Sequence, residues 1–339
     1  MRIRRTLPIV LAVIIVAAAV TLAVQLRKHA PPEAARLLPG ADAFFYVDLT
    51  WARKAKPNFG LPPISRDPEY QRFINEAGFD FERDLDEAAF ALHYPGDKSS
   101  PDDLRSSEIV VGKFDLSKVT AYLKHHAKVI DNYESIDIYS IPIANRTFRV
   151  AILSPDSVAA SNVDDATVIR GMVDRSRRLA SPFGGPALLR KYYRRVQLSS
   201  PVWIVAHVDP SSSPFAGSVD FLSHPADVIV SASFNPLLMG FHPASAHLRA
   251  EAVTASEDDA RTIADKVNSF LALTHAAENS AGTADADGDI KALLDSLKIR
   301  QDGDHAVLTA AIPLGLLHKA VSGSTPGLAG APDSNPNPR

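Results

Sequence analysis

Two stretches decide the fold: residues 38–48 read LPGADAFFYVD, and residues 200–209 read SPVWIVAHVD. Each opens with a Pro-containing turn, continues as a short apolar run and ends on Val-Asp. Short apolar runs bounded by turn residues are typical of β-strands in a sheet core. The two stretches therefore predict the opening strand of a structural unit that occurs twice in the chain.

The segments that follow the two opening strands support this repeat. Each half continues with two more strands, a helix, a hairpin and a closing helix. The pattern predicts the first of these helices over residues 116–126 in one half and 256–275 in the other. Asp115 and Ser256 stand where N-cap residues belong. The sequence thus predicts an α+β fold of two similar units, each with a mainly antiparallel sheet and helices on one face.

The helix that begins after Ser256 carries an apolar stripe at i, i+3 and i+4 spacing. Such a stripe is typical of a helix face that packs on a core. The stripe consists of Ala260, Ile263, Ala264, Val267, Phe270 and Leu271.

The N-terminus has the pattern of a membrane anchor. Residues 6–26 carry no charge and are mainly apolar, and Arg2, Arg4 and Arg5 precede them. A helix of this length spans roughly 30 Å, the thickness of a bilayer core. The Arg excess before the run favours a cytoplasmic N-terminus. We therefore expect a single-pass inner-membrane protein with the bulk of the chain in the periplasm; a cleaved signal peptide is the alternative.

Composition shifts along the chain define the expected boundaries. A Pro-containing spacer follows the anchor, and the end of the chain is rich in Gly, Pro, Ser and Asn. The expected division is 1–28 for the cytoplasmic start and transmembrane helix, 29–36 for a linker, 37–182 for the first α+β unit, 183–321 for the second, and 322–339 for a disordered tail.

The opening stretch also carries a family resemblance. The pattern Leu-Pro-x-Ala-Asp-Ala-x-x-Tyr-Val-Asp at residues 38–48, and FDFERDLD at residues 79–86 ahead of a strand, resemble uncharacterised bacterial single-anchor envelope proteins of a domain-of-unknown-function type. The resemblance covers mainly residues 34–180. It implies an envelope location and this architecture, and it assigns no catalytic residue.

The composition excludes several functional classes. The 339 residues include no Cys, so disulfides, thiolate zinc sites and cysteine nucleophiles are excluded. A formal net charge of -3 argues against a nucleic-acid partner. The chain has no phosphate-binding Gly-rich loop and no serine nucleophile motif, and the adjacent His125 and His126 lack the i, i+4 spacing of a zinc helix. We therefore expect no catalytic residues, no cofactor and no metal.

A basic stretch between residues 166 and 200 is the main binding candidate. Arg offers a bidentate fork to phosphate and carboxylate groups, so the stretch predicts an anion- or partner-binding surface. An intramolecular alternative is that these cations face the acid-rich region 251–304. The candidates are Arg170, Arg175, Arg177, Arg178, Arg190, Lys191, Arg194 and Arg195.

These features together favour a membrane-anchored extracytoplasmic binding or scaffold protein without catalysis. Its expected partners are the membrane, through residues 6–26, and an envelope protein or an anionic ligand. An anchored envelope hydrolase or glycan-processing enzyme with dispersed active-site residues is the alternative.

Overall fold

The computed structural model describes residues 30–50, 53, 68–94, 104–143, 145–177, 185–198, 200–211, 221–234, 245–280, 288–316 and 319. The predicted anchor, the predicted tail and Arg178 lie outside these ranges. No helix in the described ranges is long and apolar enough to cross a membrane.

The described strands form one antiparallel sheet of twelve strands, ordered β11-β12-β10-β9-β8-β1-β2-β3-β7-β6-β5-β4. The predicted α+β class with a large antiparallel sheet is confirmed, but both halves share a single sheet. The strands are β1 Ala43–Asp48, β2 Leu85–His93, β3 Arg105–Gly112, β4 Val129–Tyr133, β5 Ile136–Ile143, β6 Arg146–Ser154, β7 Ser157–Ser161, β8 Val202–Val208, β9 Ala226–Ser233, β10 Ser245–Val253, β11 Lys298–Asp302 and β12 His305–Pro313.

The two opening strands, β1 and β8, pair with each other and join the halves. Phe44 lies directly opposite Val205 in this antiparallel pair, and both side chains are fully buried. An unpaired strand edge is exposed to wrong partners, and pairing β1 with β8 removes one such edge from each half. This pairing explains why one continuous sheet forms instead of a sheet in each unit.

The ends of β1 and β8 repeat the same local structure. Asp48 Oδ1 accepts a hydrogen bond from the backbone N of Thr50 at 2.9 Å. Asp209 Oδ1 accepts one from the backbone N of Ser211 at 2.8 Å. Such side-chain bonds to the backbone two residues on stop a strand by starting a turn. The Val-Asp ending seen twice in the sequence is therefore a turn-forming feature.

Helices cover both faces of the sheet, where the sequence predicted one face. The helices are α1 Glu33–Leu37, α2 Pro68–Ala77, α3 Phe81–Asp84, α4 Leu116–His126, α5 Thr167–Arg177, α6 Ala187–Tyr192, α7 Glu257–Ser280 and α8 Gly288–Ser296, with a 3-10 turn at Tyr193–Arg195. One face of the sheet, here called the cavity face because the cavity described below lies on it, packs against α2, α4 and α7. The opposite face, which carries Phe44, Tyr46, Trp203 and Val205, packs against α1, α5 and α6.

The composition of the central strands explains why helices cover both faces. Residues 43–47 and 202–206 are apolar at every position and do not alternate with polar residues. Strands that read as continuous apolar runs need cover on both sides. The segment expected as a linker also covers the sheet. Helix α1 occupies residues 33–37 and buries Ala34 and Ala35 completely. The second half of the predicted spacer is thus part of the core.

Helix α7 begins as the sequence predicts. Ser256 Oγ accepts a hydrogen bond from the backbone N of Asp259 at 3.1 Å and donates one to Asp259 Oδ2 at 2.8 Å. Ile263 and Leu271 on the predicted stripe are buried. Phe270, on the same stripe, is instead 64% exposed. This departure marks the place where the helix does not close onto the sheet.

Candidate functional site

A cavity of about 810 Å³ lies between α7 and the second-half strands. Both the strands and the helix contribute apolar side chains to it. The lining residues are Val208, Phe221, Leu222, Val228, Val230, Ala250, Glu251, Ala252, Ile263, Lys266, Val267, Phe270, Leu271, Leu297, Ile299, Ala306 and Leu308.

Small side chains on β10 and β12 create this space. Ala252 lies directly opposite Ala306, and Ala250 lies opposite Leu308 in the same antiparallel pair. Protein interiors are otherwise packed nearly as densely as organic crystals, with few voids larger than a water molecule. Alanines at facing positions under a long helix therefore leave a volume that the surrounding side chains do not fill.

The two charged residues at the cavity do not make its interior polar. Glu251 alternates with Ala250 and Ala252 along β10, so its side chain points to the opposite face. There its carboxylate pairs with Arg195, and it accepts a hydrogen bond from Arg249 at 2.9 Å. Lys266 is exposed on α7, and its Nζ donates to Ser223 Oγ at 2.7 Å.

The cavity opens beside two aromatic side chains. Phe221 precedes β9, and Phe270 lies on α7; both line the cavity and are 42% and 64% exposed. Aromatic residues that are half in the cavity and half in solvent mark its mouth. We use the name mouth for Phe221, Phe270 and Lys266 throughout.

This arrangement suits binding by apolar burial. Ligand pockets typically have about 300–1,000 Å³ and apolar walls with few polar groups. Acid–base or nucleophilic chemistry instead needs carboxylate, imidazole or hydroxyl groups aimed at the ligand. No carboxylate or imidazole side chain among the described residues points into this cavity. The described walls can therefore hold an apolar chain by contact alone.

The basic candidates on α5 make contacts within the fold. Arg170 lies over the ring of Tyr133 at 5.4 Å, and Arg175 Nε donates to the backbone O of Leu37 at 2.8 Å. Arg177 donates to the backbone O of Glu134. Burial lowers the pKa of the Arg175 guanidinium. These contacts tie α5 to α1 and to the β4–β5 turn.

All four candidates around α6 are exposed, and two of them also bind acidic side chains of the sheet. Arg195 pairs with Glu251 and approaches His305 Nε2 at 3.1 Å, which places one cation against the acid-rich region. Lys191 Nζ lies 3.7 Å from the carboxylate of Asp227. Arg190 and Arg194 are exposed.

The basic candidates do not form one surface patch. Helix α5 packs on β6 and β7, whereas α6 packs on β8. Strands β7 and β8 are separated by β3, β2 and β1, a distance of roughly 19 Å at the usual strand spacing. An anion- or partner-binding role for the exposed members stays a prediction.

Two histidine arrangements with catalytic character were not predicted from the sequence. His93 Nε2 lies 3.2 Å from Ser107 Oγ, but Ser107 is fully buried and out of reach of a substrate. His207 Nδ1 lies 2.8 Å from Asp227 Oδ1, and His207 is half exposed. The Asp227 carboxylate also accepts a hydrogen bond from Tyr192, so this pair ties α6 to the sheet.

A smaller cavity of about 390 Å³ lies between α2 and α4, lined by His125, His126, Arg72, Glu76, Phe73 and Tyr122. His126 Nδ1 lies 2.9 Å from the backbone O of Tyr122 within the same helix. In the described part of the chain, no group of three or more His, Asp or Glu side chains is placed to hold a metal ion.

No family model and no curated protein sequence matches this chain. Solved structures of a protein named TP0453 are similar at 9% sequence identity and cover 86% of this chain. Crystal form III gives a TM-score of 0.45 and is covered over 99% of its length; crystal form IV gives 0.44 and 97%. The resemblance to uncharacterised bacterial single-anchor envelope proteins stays a prediction.

Proposed function

We propose that this protein is an extracytoplasmic binding protein that holds an acyl chain in the cavity under α7. The observation that carries the proposal is the cavity itself, at about 810 Å³ and with apolar side chains on every wall. Bare apolar walls are unfavourable in water by about 25 cal/mol for each Å². A ligand that covers them gains this free energy.

An acyl chain fits the lining better than a compact polar ligand. Deep in the cavity, Ala250, Ala252 and Ala306 present methyl groups and no partner for a polar atom. Burying a polar ligand atom there without a hydrogen bond is costly. At the mouth, Lys266 can pair with an acidic head group that stays in solvent. The ligand class is therefore an apolar chain with a polar end.

The same contacts argue against an envelope hydrolase. The best-oriented pair, His207 and Asp227, lies on the opposite face of the sheet and lines neither cavity described above. A hydrolase needs its base and nucleophile beside a bound substrate. Binding without chemistry is the function that we adopt.

The proposed setting is the outer surface of the inner membrane. Residues 6–26 would hold the chain there, because they are long and apolar enough to span a bilayer. A binding protein held at this surface has lipids within reach.

Ligand-linked stability tests this function. Full-length protein in phosphatidylcholine nanodiscs is unfolded by urea with and without palmitate as the probe. A ligand that binds only the folded state stabilises it by about 2.7 kcal/mol at one hundred times its dissociation constant. We expect palmitate to raise the unfolding midpoint of the unmodified chain.

Cavity-filling variants give the decisive comparison. Ala306→Phe and Ala250→Phe place a ring inside the cavity, and Ala121→Phe adds the same ring to an exposed position of α4. Palmitate should stabilise Ala121→Phe as it does the unmodified chain, and it should not stabilise the two cavity variants. An equal response in all four proteins would refute the proposal.

A further inference from the structure

The surface beside the cavity mouth is unusually apolar. Leu273 and Phe270 are the two most exposed large apolar side chains in the described part of the chain, at 71% and 64%. They lie three residues apart on α7, so they share one face of the helix. Phe221 adds a third exposed apolar side chain across the mouth. We call Phe221, Phe270 and Leu273 the mouth patch.

The helix around the mouth patch lacks charge. Residues 267–274 contain no Asp, Glu, Lys or Arg, although α7 is acidic in its first turn. Lys266 comes directly before this stretch, and His275 directly after it. Outward Phe and Leu side chains on such an uncharged stretch can enter a membrane interface without burying a charge.

The patch adjoins the cavity, and this position favours a bilayer as its occupant. Phe221 and Phe270 belong both to the exposed patch and to the cavity wall, so the surface is continuous with the ligand site. A bilayer that covers the patch would bring lipid chains to the mouth without passage through water. A protein partner on the same patch would instead cover the entrance beside these two rings.

We propose that the mouth patch docks on the lipid bilayer, with Phe270 and Leu273 inserted at the level of the upper acyl chains, so that the cavity exchanges its ligand directly with the membrane. The exchange rests on the function proposed above, but the docking does not depend on it. Lys266 lies at the level of the lipid head groups in this orientation.

The absence of Cys allows a clean test, because one introduced Cys is a unique labelling site. Leu273→Cys and Leu198→Cys are matched, since both leucines are exposed, at 71% and 58%. Leu198 lies between the 3-10 turn and β8, far along the chain from the mouth patch. Each full-length variant is labelled with an environment-sensitive fluorophore and reconstituted in phosphatidylcholine vesicles, with and without doxyl-labelled phosphatidylcholine.

We expect the label at position 273 to shift to shorter emission wavelength and to lose emission when doxyl lipid is present, while the label at 198 does neither. Phe270→Cys should behave like Leu273→Cys and provides an independent position. Equal and weak quenching at 273, 270 and 198 would overturn docking on lipid. Because this readout needs no added ligand, it separates a failure of docking from a failure of palmitate to stabilise the protein.

Discussion

At the residue scale, buried charge explains much of how the opposite face of the sheet is held. Glu251 is almost completely buried and binds Arg195 and Arg249 from one side of β10. The neighbouring positions of the same strand, Ala250 and Ala252, face the cavity. Strand β10 therefore carries a buried carboxylate with its two Arg partners on one face of the sheet and part of the cavity wall on the other.

Removing the Glu251 carboxylate should be destabilising. Glu251→Ala leaves Arg249 and Arg195 without the carboxylate that they share, but both guanidiniums reach solvent, so we expect a cost of about 1.5–3 kcal/mol. Asp258→Ala is the control, because Asp258 forms an exposed pair with Arg261 at 3.2 Å. Such surface pairs contribute about 0–1 kcal/mol. Urea unfolding of both variants at neutral pH measures the difference, and equal effects would contradict this account.

Glu87 should make stability depend on pH in a defined direction. Burial raises the pKa of the Glu87 carboxyl, and the hydrogen bond with Tyr46 offsets this only in part. A raised folded pKa means that the folded state binds the proton more tightly than the unfolded state, so stability falls as pH rises through that pKa. Glu87→Gln removes this loss.

We therefore expect Glu87→Gln to be more stable than the unmodified chain at pH 7. The advantage should shrink as the pH falls through the raised pKa of Glu87 and should be gone below about 4.3, the pKa of an unperturbed Glu. Urea unfolding over a pH series measures it. An advantage that grows toward acid pH would show that the sign is wrong.

At the scale of elements, α7 shows what could and could not be predicted from the sequence. Its start follows from Ser256 and Asp259, and its buried stripe follows from the spacing of Ile263 and Leu271, since caps and periodicity are local properties. The cavity does not follow, because it depends on which alanines of β10 and β12 meet under the helix. That register is set by strand pairing between residues far apart in sequence.

Ser256→Ala should loosen the first turn of α7. The variant removes the oxygen that accepts from the backbone N of Asp259, and loss of such a cap costs about 1 kcal/mol. Hydrogen exchange should accelerate at the first amides of α7, with Asp115→Ala producing the same effect only at α4. Unchanged exchange in α7 would mean that its packing on the sheet, and not its cap, holds this end.

At the scale of the whole molecule, the described strands of both halves form one sheet, where the sequence predicted a sheet in each of two units. The opening strands are recognisable from short turn-bounded runs, but their pairing with each other is a long-range event that no local pattern encodes. The cover on both faces could have been inferred from the unbroken apolar runs of β1 and β8. Counting charges in the basic stretch did not show which cations bind within the fold. Arg195 pairs with Glu251, and Arg175 donates to the backbone O of Leu37.

Because both halves share one sheet, we expect them to unfold together. Phe44→Ala opens a space at the β1–β8 pair, where removal of a buried Phe costs about 3–5 kcal/mol. Amide exchange should become faster by the same factor in β3 and in β10, on either side of the pair. Acceleration confined to β3 would show that the halves are separate cooperative units.

The central claim is that an acyl chain lies under α7, and photo-crosslinking tests it most directly. Full-length protein in phosphatidylcholine nanodiscs is irradiated with a diazirine-bearing palmitate, digested and mapped by mass spectrometry. The account predicts adducts on α7 between residues 263 and 271 and on β12 between residues 306 and 308, and their loss in Ala306→Phe. Adducts confined to residues 6–26, with none on α7 or β12, would contradict it.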